Sequence, residues 1–237
     1  MTLSRQKQHR QDAILNAAED LVRELHATSF SMLSLAEKAG ISPATPYNLF
    51  GSKASILYAL LNRSLDGVFQ GAQHVARQPD PFLRVVEAAD AAGSFFGADP
   101  DYYRPLYQYL LGVIDPVHRP AYMDRALIYW RHALQGLENA GILSAADREW
   151  MARTIVIQVV GALDLWVHED LNSQEFRSHL VHGVSLLLFH IADEPSAVVL
   201  RRQLVEARSA MPTTYSFSRT KGALAIAAGT MVAQSHE

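Results

Sequence analysis

S-M-L-S-L-A-E-K-A-G-I-S-P-A-T-P-Y-N-L-F-G-S-K, residues 31–53, is the stretch whose reading decides the fold. It predicts two short helices joined by a tight turn. Ser31 suits an N-cap, its hydroxyl accepting from a first-turn N–H, and Leu35, Ala36 and Ala39 then share one apolar face. Gly40 follows where a helix end needs a left-handed backbone. Ser42 offers a second N-cap, and Pro43 falls at the first position of the next helix, where a missing N–H costs nothing. Two helices joined this tightly form a helix-turn-helix, whose second helix lies in a DNA major groove.

On these residues the stretch resembles the DNA-binding signature of the TetR (tetracycline-repressor-like) transcriptional regulators. The matching positions are Leu35, Ala36, Ala39, Gly40, Ser42, Thr45, Tyr47, Phe50, Ser52, Lys53 and Leu57, all in the N-terminal quarter of the chain. The resemblance implies an all-α fold, with an N-terminal three-helix helix-turn-helix DNA-binding domain and a C-terminal helical ligand-binding and dimerisation domain. Three residues depart from the family pattern. His26 stands where Gly usually follows the first helix, and Leu49 where His is common. Pro46 lies early in the recognition helix, where its lost N–H tightens or bends the first turn.

Upstream, residues 1–9 are polar and are expected to be mobile ahead of a first helix over about 10–25. Ile14, Ala17, Leu21, Val22 and Leu25 fall on one face of that helix. Arg5, Lys7, His9 and Arg10 make the arm positive, which suits phosphate or minor-groove contact, or simply solvent. In the recognition helix, about 43–50, Phe50 is expected to face the small core and the Tyr47 hydroxyl to reach a phosphate. Pro43, Ala44, Thr45 and Asn48 lie near base edges, where Ala44 and Thr45 meet a thymine methyl and Asn48 pairs with adenine. Ser52 caps the following helix, and Lys53 in its first turn pairs with phosphate beside the helix N-terminus. With Ser31, Ser34 and Ser42 these residues make up the expected DNA-contacting set.

Composition bounds the rest. The chain has 237 residues, 49% hydrophobic and 19% charged, an ordinary globular mix with room for a real core. A net charge of −3 means that contact with nucleic acid comes from a local basic patch. There are no cysteines, which excludes disulfides and thiol chemistry. No signal peptide and no uninterrupted apolar run near the ~20 residues of a membrane span is read, so a cytoplasmic protein is expected.

Downstream the pattern predicts helices over about 52–76, 81–96, 101–111, 120–140, 145–168, 173–192 and 195–210, with no convincing strand and no internal repeat. The domains are placed at 1–55 (DNA-binding), 56–210 (ligand-binding and dimerisation) and 211–237 (a tail of unassigned structure). The eighth and ninth helices, with T-I-V-I-Q-V-V-G-A-L-D-L-W-V at 154–167 and L-V-H-G-V-S-L-L-L-F-H-I at 180–191, are apolar nearly all round. Such helices must be covered on several sides. Gly161 and Gly183 allow close approach, so a homodimer through these two helices is expected, with buried core helices of a monomer as the alternative.

The body is rich in aromatics, which serve as core or as walls of the ligand pocket that the resemblance implies. The ligand-binding candidates are Phe69, Phe95, Tyr103, Tyr107, Met123, Trp130, Gln158 and Asp164. Asp164 and His168, one turn apart on an apolar helix, either satisfy each other or orient a ligand. His179, His182 and His190 lack further ligands at metal-site spacing, so no metal and no cofactor is expected. The function read from this is a homodimeric repressor, released from a palindromic operator by a small, largely apolar ligand. The alternatives are a hydrolase-like enzyme using Asp164 and His168, which no nucleophile or phosphate-loop motif supports, and an effector-independent DNA-binding protein.

Overall fold

The computed structural model describes residues 3–72 and 78–212. Among them are ten α-helices and no strand: α1 (Leu3–Leu25), α2 (Met32–Lys38), α3 (Ala44–Phe50), α4 (Lys53–Gly71), α5 (Pro81–Gly97), α6 (Pro100–Gly112), α7 (Arg119–Asn139), α8 (Ala145–Val167), α9 (Ser173–Phe189) and α10 (Glu194–Ser209). The expected all-α class is the observed one. The chain beyond residue 212 and the end of the fourth helix expected near residue 76 lie outside the described residues.

Polar side chains start most of these helices by taking first-turn N–H groups that have no partner within the helix. Ser31, Ser52 and Ser144 cap α2, α4 and α8, and Asp80, Asn172 and Asp193 cap α5, α9 and α10. Left-handed glycines close α2 (Gly40, φ 65°) and α7 (Gly141, φ 72°). His26, at the position where the family pattern has glycine, takes the same backbone region (φ 47°) after α1.

Two boundaries differ from the sequence reading. α1 begins at Leu3, so the polar arm is wound into the helix rather than preceding it. Polar pairs one turn apart, such as Gln8 and Asp12 at 3.2 Å, support exposed turns that carry no apolar periodicity. At α3 the cap is Pro43, with no side-chain cap bond, and the Ser42 hydroxyl meets the Thr45 hydroxyl at 2.8 Å instead of a backbone N–H. Pro46 occupies the third helical position and is buried. An N–H there would have no partner within the helix, so the proline neither breaks nor strains α3.

One hydrophobic core runs from Ile14 to Ala207. α4 belongs to both ends of it: Ile56, Leu57, Leu60 and Leu61 are fully buried in its first half, and Leu65 and Val68 in its second. Salt bridges join the elements at the rim. Arg63 of α4 reaches Glu19 of α1 at 2.8 Å, Arg23 reaches Asp99 at 2.9 Å, and Arg177 of α9 grips Asp90 of α5 at 2.6 and 2.8 Å. Each pair is partly exposed and contributes on the order of 0–1 kcal/mol. They set helix register more than they hold the fold.

α5 and α9 pack closely at Gly93. A Cβ built on Gly93 would stand 2.8 Å from the Arg177 Cα, a backbone atom that cannot swing aside. Gly93→Ala is therefore expected to cost roughly 1–3 kcal/mol through overpacking, although alanine is the better helix former. Urea unfolding followed by circular dichroism measures this. A stability equal to or above that of the parent chain would show that the two helices separate freely.

Candidate functional site

The hydrogen bonds of the α2–α3 turn make it rigid. Ile41 N–H reaches the Ala36 carbonyl at 3.0 Å and Gly40 N–H the Glu37 carbonyl at 3.1 Å, the paired bonds of a Schellman stop. At the other end of α2 the Ser31 and Ser34 hydroxyls form a reciprocal capping box. α3 is thereby held with one face on the core, through buried Pro46 and half-buried Leu49 and Phe50, and the other in solvent. Ser42, Pro43, Ala44, Tyr47 and Asn48 are exposed, Tyr47 at 55%.

The remaining residues of the expected DNA-contacting set sit around this face with other engagements. Ser31 and Ser34 cap α2, and the half-buried Thr45 shares its hydroxyl with Ser42. The Lys53 ammonium lies over the Phe30 ring, 4.7 Å from its centroid, and its partial burial lowers its pKa.

Below the head, α4 to α8 enclose an apolar cavity of about 60 Å³. Its walls include Leu65 and Val68 of α4, Phe96 of α5, Tyr107 and Leu110 of α6, Val156, Val159 and Leu163 of α8, and a stripe along α7. That stripe is Arg119, Tyr122, Met123, Ala126 and Trp130, the three- and four-residue steps of one helix face. Small-molecule pockets run to about 300–1,000 Å³, so the cavity is closed down as it stands. Its polar groups are few. The Tyr122 hydroxyl donates to the Tyr107 hydroxyl at 2.9 Å, and the Tyr129 hydroxyl donates to the Ala88 carbonyl at 2.7 Å. Burial pushes all three phenols well above their ordinary pKa, so they stay neutral donors and acceptors.

Of the ligand-binding candidates named from sequence, the structure brings Tyr107, Met123 and Trp130 to this cavity. The other five lie elsewhere. Phe69 packs edge-on against Tyr129 at 5.3 Å, and Phe95 and Tyr103 pack against each other at 5.2 Å within the α5–α6 aromatic cluster. Gln158 donates to the His179 carbonyl at 3.0 Å and lies against Gly183, joining α8 to α9. Asp164 is about half exposed, and His168 bonds its backbone carbonyl at 2.8 Å. Arg119 and Tyr122, not among those candidates, also line the cavity, on an α7 stripe that is visible in the sequence as a period.

A second arrangement, invisible in the sequence, links cavity and head. His118, in the loop before α7, places Nε2 3.1 Å from the Ser55 Oγ in the first turn of α4. Its Nδ1 lies 2.9 Å from Asp115 Oδ2, and the same carboxylate accepts from the Val117 and His118 N–H groups at 2.9 and 2.8 Å. Those backbone bonds and the imidazole hold the Asp115 pKa below its usual range. The Tyr58 ring stacks on the imidazole at 5.2 Å, and burial pushes the Tyr58 phenol up to about 12. Ser55, His118 and Asp115 have the order of a nucleophile, base and orienting acid. Neither Ser55 nor His118 lines the cavity, however, and the Ser55 hydroxyl is also shared with Ser52 at 2.9 Å. The arrangement works as a strut between the α6–α7 loop and α4.

The comparisons with known proteins agree with this geometry. No family model matches the chain, and no curated protein matches it. Solved structures do. A TetR-family transcriptional regulator from Syntrophomonas wolfei superposes with a TM-score of 0.64 at 19% identity, over 76% of this chain and 96% of that one. A TetR transcriptional regulator from Rhodococcus sp. RHA1 gives 0.62 at 18% identity, over 79% and 100%. SmeT, the repressor of the Stenotrophomonas maltophilia multidrug efflux pump SmeDEF, gives 0.59 at 17% identity, over 79% and 95%. The chain has the fold of the TetR-family transcriptional regulators.

Because the two buried tyrosines satisfy each other, Tyr122→Phe leaves the Tyr107 oxygen without its donor. It is expected to cost about 1–3 kcal/mol. Combining it with Tyr107→Phe should cost less than the two single changes summed, as denaturant unfolding of all three variants would register. Strict additivity would mean that the hydroxyl pair is not made.

Proposed function

We propose that this chain is a homodimeric DNA-binding transcriptional regulator, a repressor released from a palindromic operator by a small, largely apolar ligand. The observation that carries the reading is the exposed face of α3. A methyl, a phenol and an amide (Ala44, Tyr47 and Asn48) stand in solvent on a helix fixed by a capped, Schellman-closed turn. Such a face can enter a major groove with no rearrangement. Ala44 meets a thymine methyl, Asn48 pairs with adenine and the Tyr47 hydroxyl takes a phosphate. Ser42, Pro43 and Thr45 shape the entering turn. Ser31, Ser34 and Lys53 flank the backbone, Lys53 releasing Phe30 to do so.

The body supports a dimer. Among the described residues α8 is the one helix long and apolar enough to cross a membrane by length and composition, with a mean hydropathy of 1.4, and only 33% of that window is buried. Trp150 and Ile157 stand 71% and 73% exposed on it, and Leu186 of α9 is 52% exposed. An apolar face of this size is a protein interface rather than a solvent surface. A two-fold pairing through α8 and α9 gives two heads for half-sites about 34–36 Å apart. In this reading residues 1–55 are the DNA-binding unit, 56–210 the sensing and dimerisation unit, and the protein acts in the cytoplasm where its operator is. It is not an enzyme. A ligand that expands the closed cavity shifts the population toward a form in which α4 and the heads are wrongly spaced.

Two experiments test this. A gel shift with the DNA upstream of its own gene should give a retarded band at moderate salt. Asn48→Ala should weaken that binding by about 1–3 kcal/mol, with adenine preference relaxed at one position per half-site. Absence of any shift with this DNA and with a randomised duplex pool would sink the DNA reading. For the dimer, Ile157→Arg should convert the light-scattering mass from two chains to one and abolish operator binding together with it. A monomeric parent protein would overturn the interface.

A further inference from the structure

We infer that the cavity takes an apolar monoanion, a carboxylate on an aliphatic or aromatic body, and that Arg119 binds its charged end. The inference rests on reading this cavity as the effector site.

Between residues 78 and 177 the body has eight arginines. Seven have a side-chain partner: Arg84 on the Gln78 carbonyl, Arg104 on Glu169, Arg125 on Asp66, Arg131 and Arg153 on Glu149, Arg148 on Glu138, and Arg177 on Asp90. Arg119 alone makes neither an ion pair nor a side-chain hydrogen bond among the described residues. It is also the arginine that lines the cavity. Arg119 is a half-buried residue beside apolar walls with no counter-charge of its own, an arrangement that an arriving anion would complete.

Its position indicates how the anion sits. Arg119 and Leu111 line both the inner cavity and an outer groove formed by Val113, Ile114, Asp115 and Pro116. Arg119 is therefore at the mouth, with the apolar body inward and the charge outward. One polar group nearby is an unmet donor. The Tyr58 hydroxyl is buried with no hydrogen-bond partner, and the charges of Asp115 and, more weakly, Arg119 both reach that phenol. The Tyr107 and Tyr122 hydroxyls are already paired with each other at 2.9 Å. The one carboxylate at the groove, Asp115, is already held by two backbone N–H groups and His118. An unmet donor and a free cation select an acceptor with negative charge over an alcohol or an amine.

The test measures binding by calorimetry on the full-length protein without DNA, using octanoate, octanol and octylamine, then phenylbutyrate and phenylbutanol. At least one acid should bind at least tenfold tighter than its alcohol, and octylamine should bind more weakly than octanol. Arg119→Gln should remove the preference while leaving alcohol affinity unchanged, and Arg119→Lys should keep most of it. Circular dichroism confirms that both variants fold. Equal affinity for acid and alcohol, a preference that survives Arg119→Gln, or no binding of either acid at millimolar concentration would each overturn the inference. Operator release is scored separately. Acid binding that leaves a protein–DNA complex intact would refute the effector reading and not the ligand class.

Discussion

Nineteen residues of continuous helix in α4 are packed at one end against α1 and at the other against the cavity. A helix transmits rotation and translation along its length, because its interior hydrogen bonds leave it no soft joint. Any change in cavity width felt by Leu65 or Val68 must therefore move Ile56 and Leu57, or else bend the rod. The helix-turn-helix packs against α4 and α1, so its orientation follows. The His118 strut adds a second connection at the head end, from the same loop that forms the cavity mouth. Head and mouth are thus mechanically coupled by a rod and by a short hydrogen-bonded tie.

Aromatic rings extend that connection into the interior. Phe96 meets Tyr107 at 4.9 Å, Tyr107 and Tyr122 share a hydroxyl bond, Tyr122 lies 6.3 Å from Tyr58, and Tyr58 stacks on His118. These rings come from α5, α6, α7, α4 and the α6–α7 loop. Interiors packed this densely respond to an inserted group by switching between discrete arrangements rather than by yielding smoothly. A cavity of about 60 Å³ walled by such rings can widen only by repacking them.

The helices were legible where single residues punctuate them. Ser31 and Ser52 mark starts, and Gly40 marks a stop, because caps and left-handed turns are local chemistry. The beginning of α1 was not legible, since an exposed polar turn carries no period. The cavity was half legible. Core and pocket aromatics obey the same helical spacing, so Phe95 and Tyr103 could not be told from Tyr107 and Trp130 without the packing of α5 on α6. The contact of His118 with Ser55 spans 63 positions and leaves no trace in either neighbourhood. Arg119 is recoverable from sequence as a cavity-lining residue: a charge placed in register with an apolar stripe is a signal.

The three tryptophans occupy three unlike surroundings. Trp130 borders the cavity, Trp150 stands in solvent on α8, and Trp166 is fully buried, stacked on Phe176 at 5.0 Å. Indole emission shifts to the blue as water is withdrawn, so the molecule carries its own optical labels for the cavity, the α8 surface and the core. Replacing any two by phenylalanine isolates the third colour.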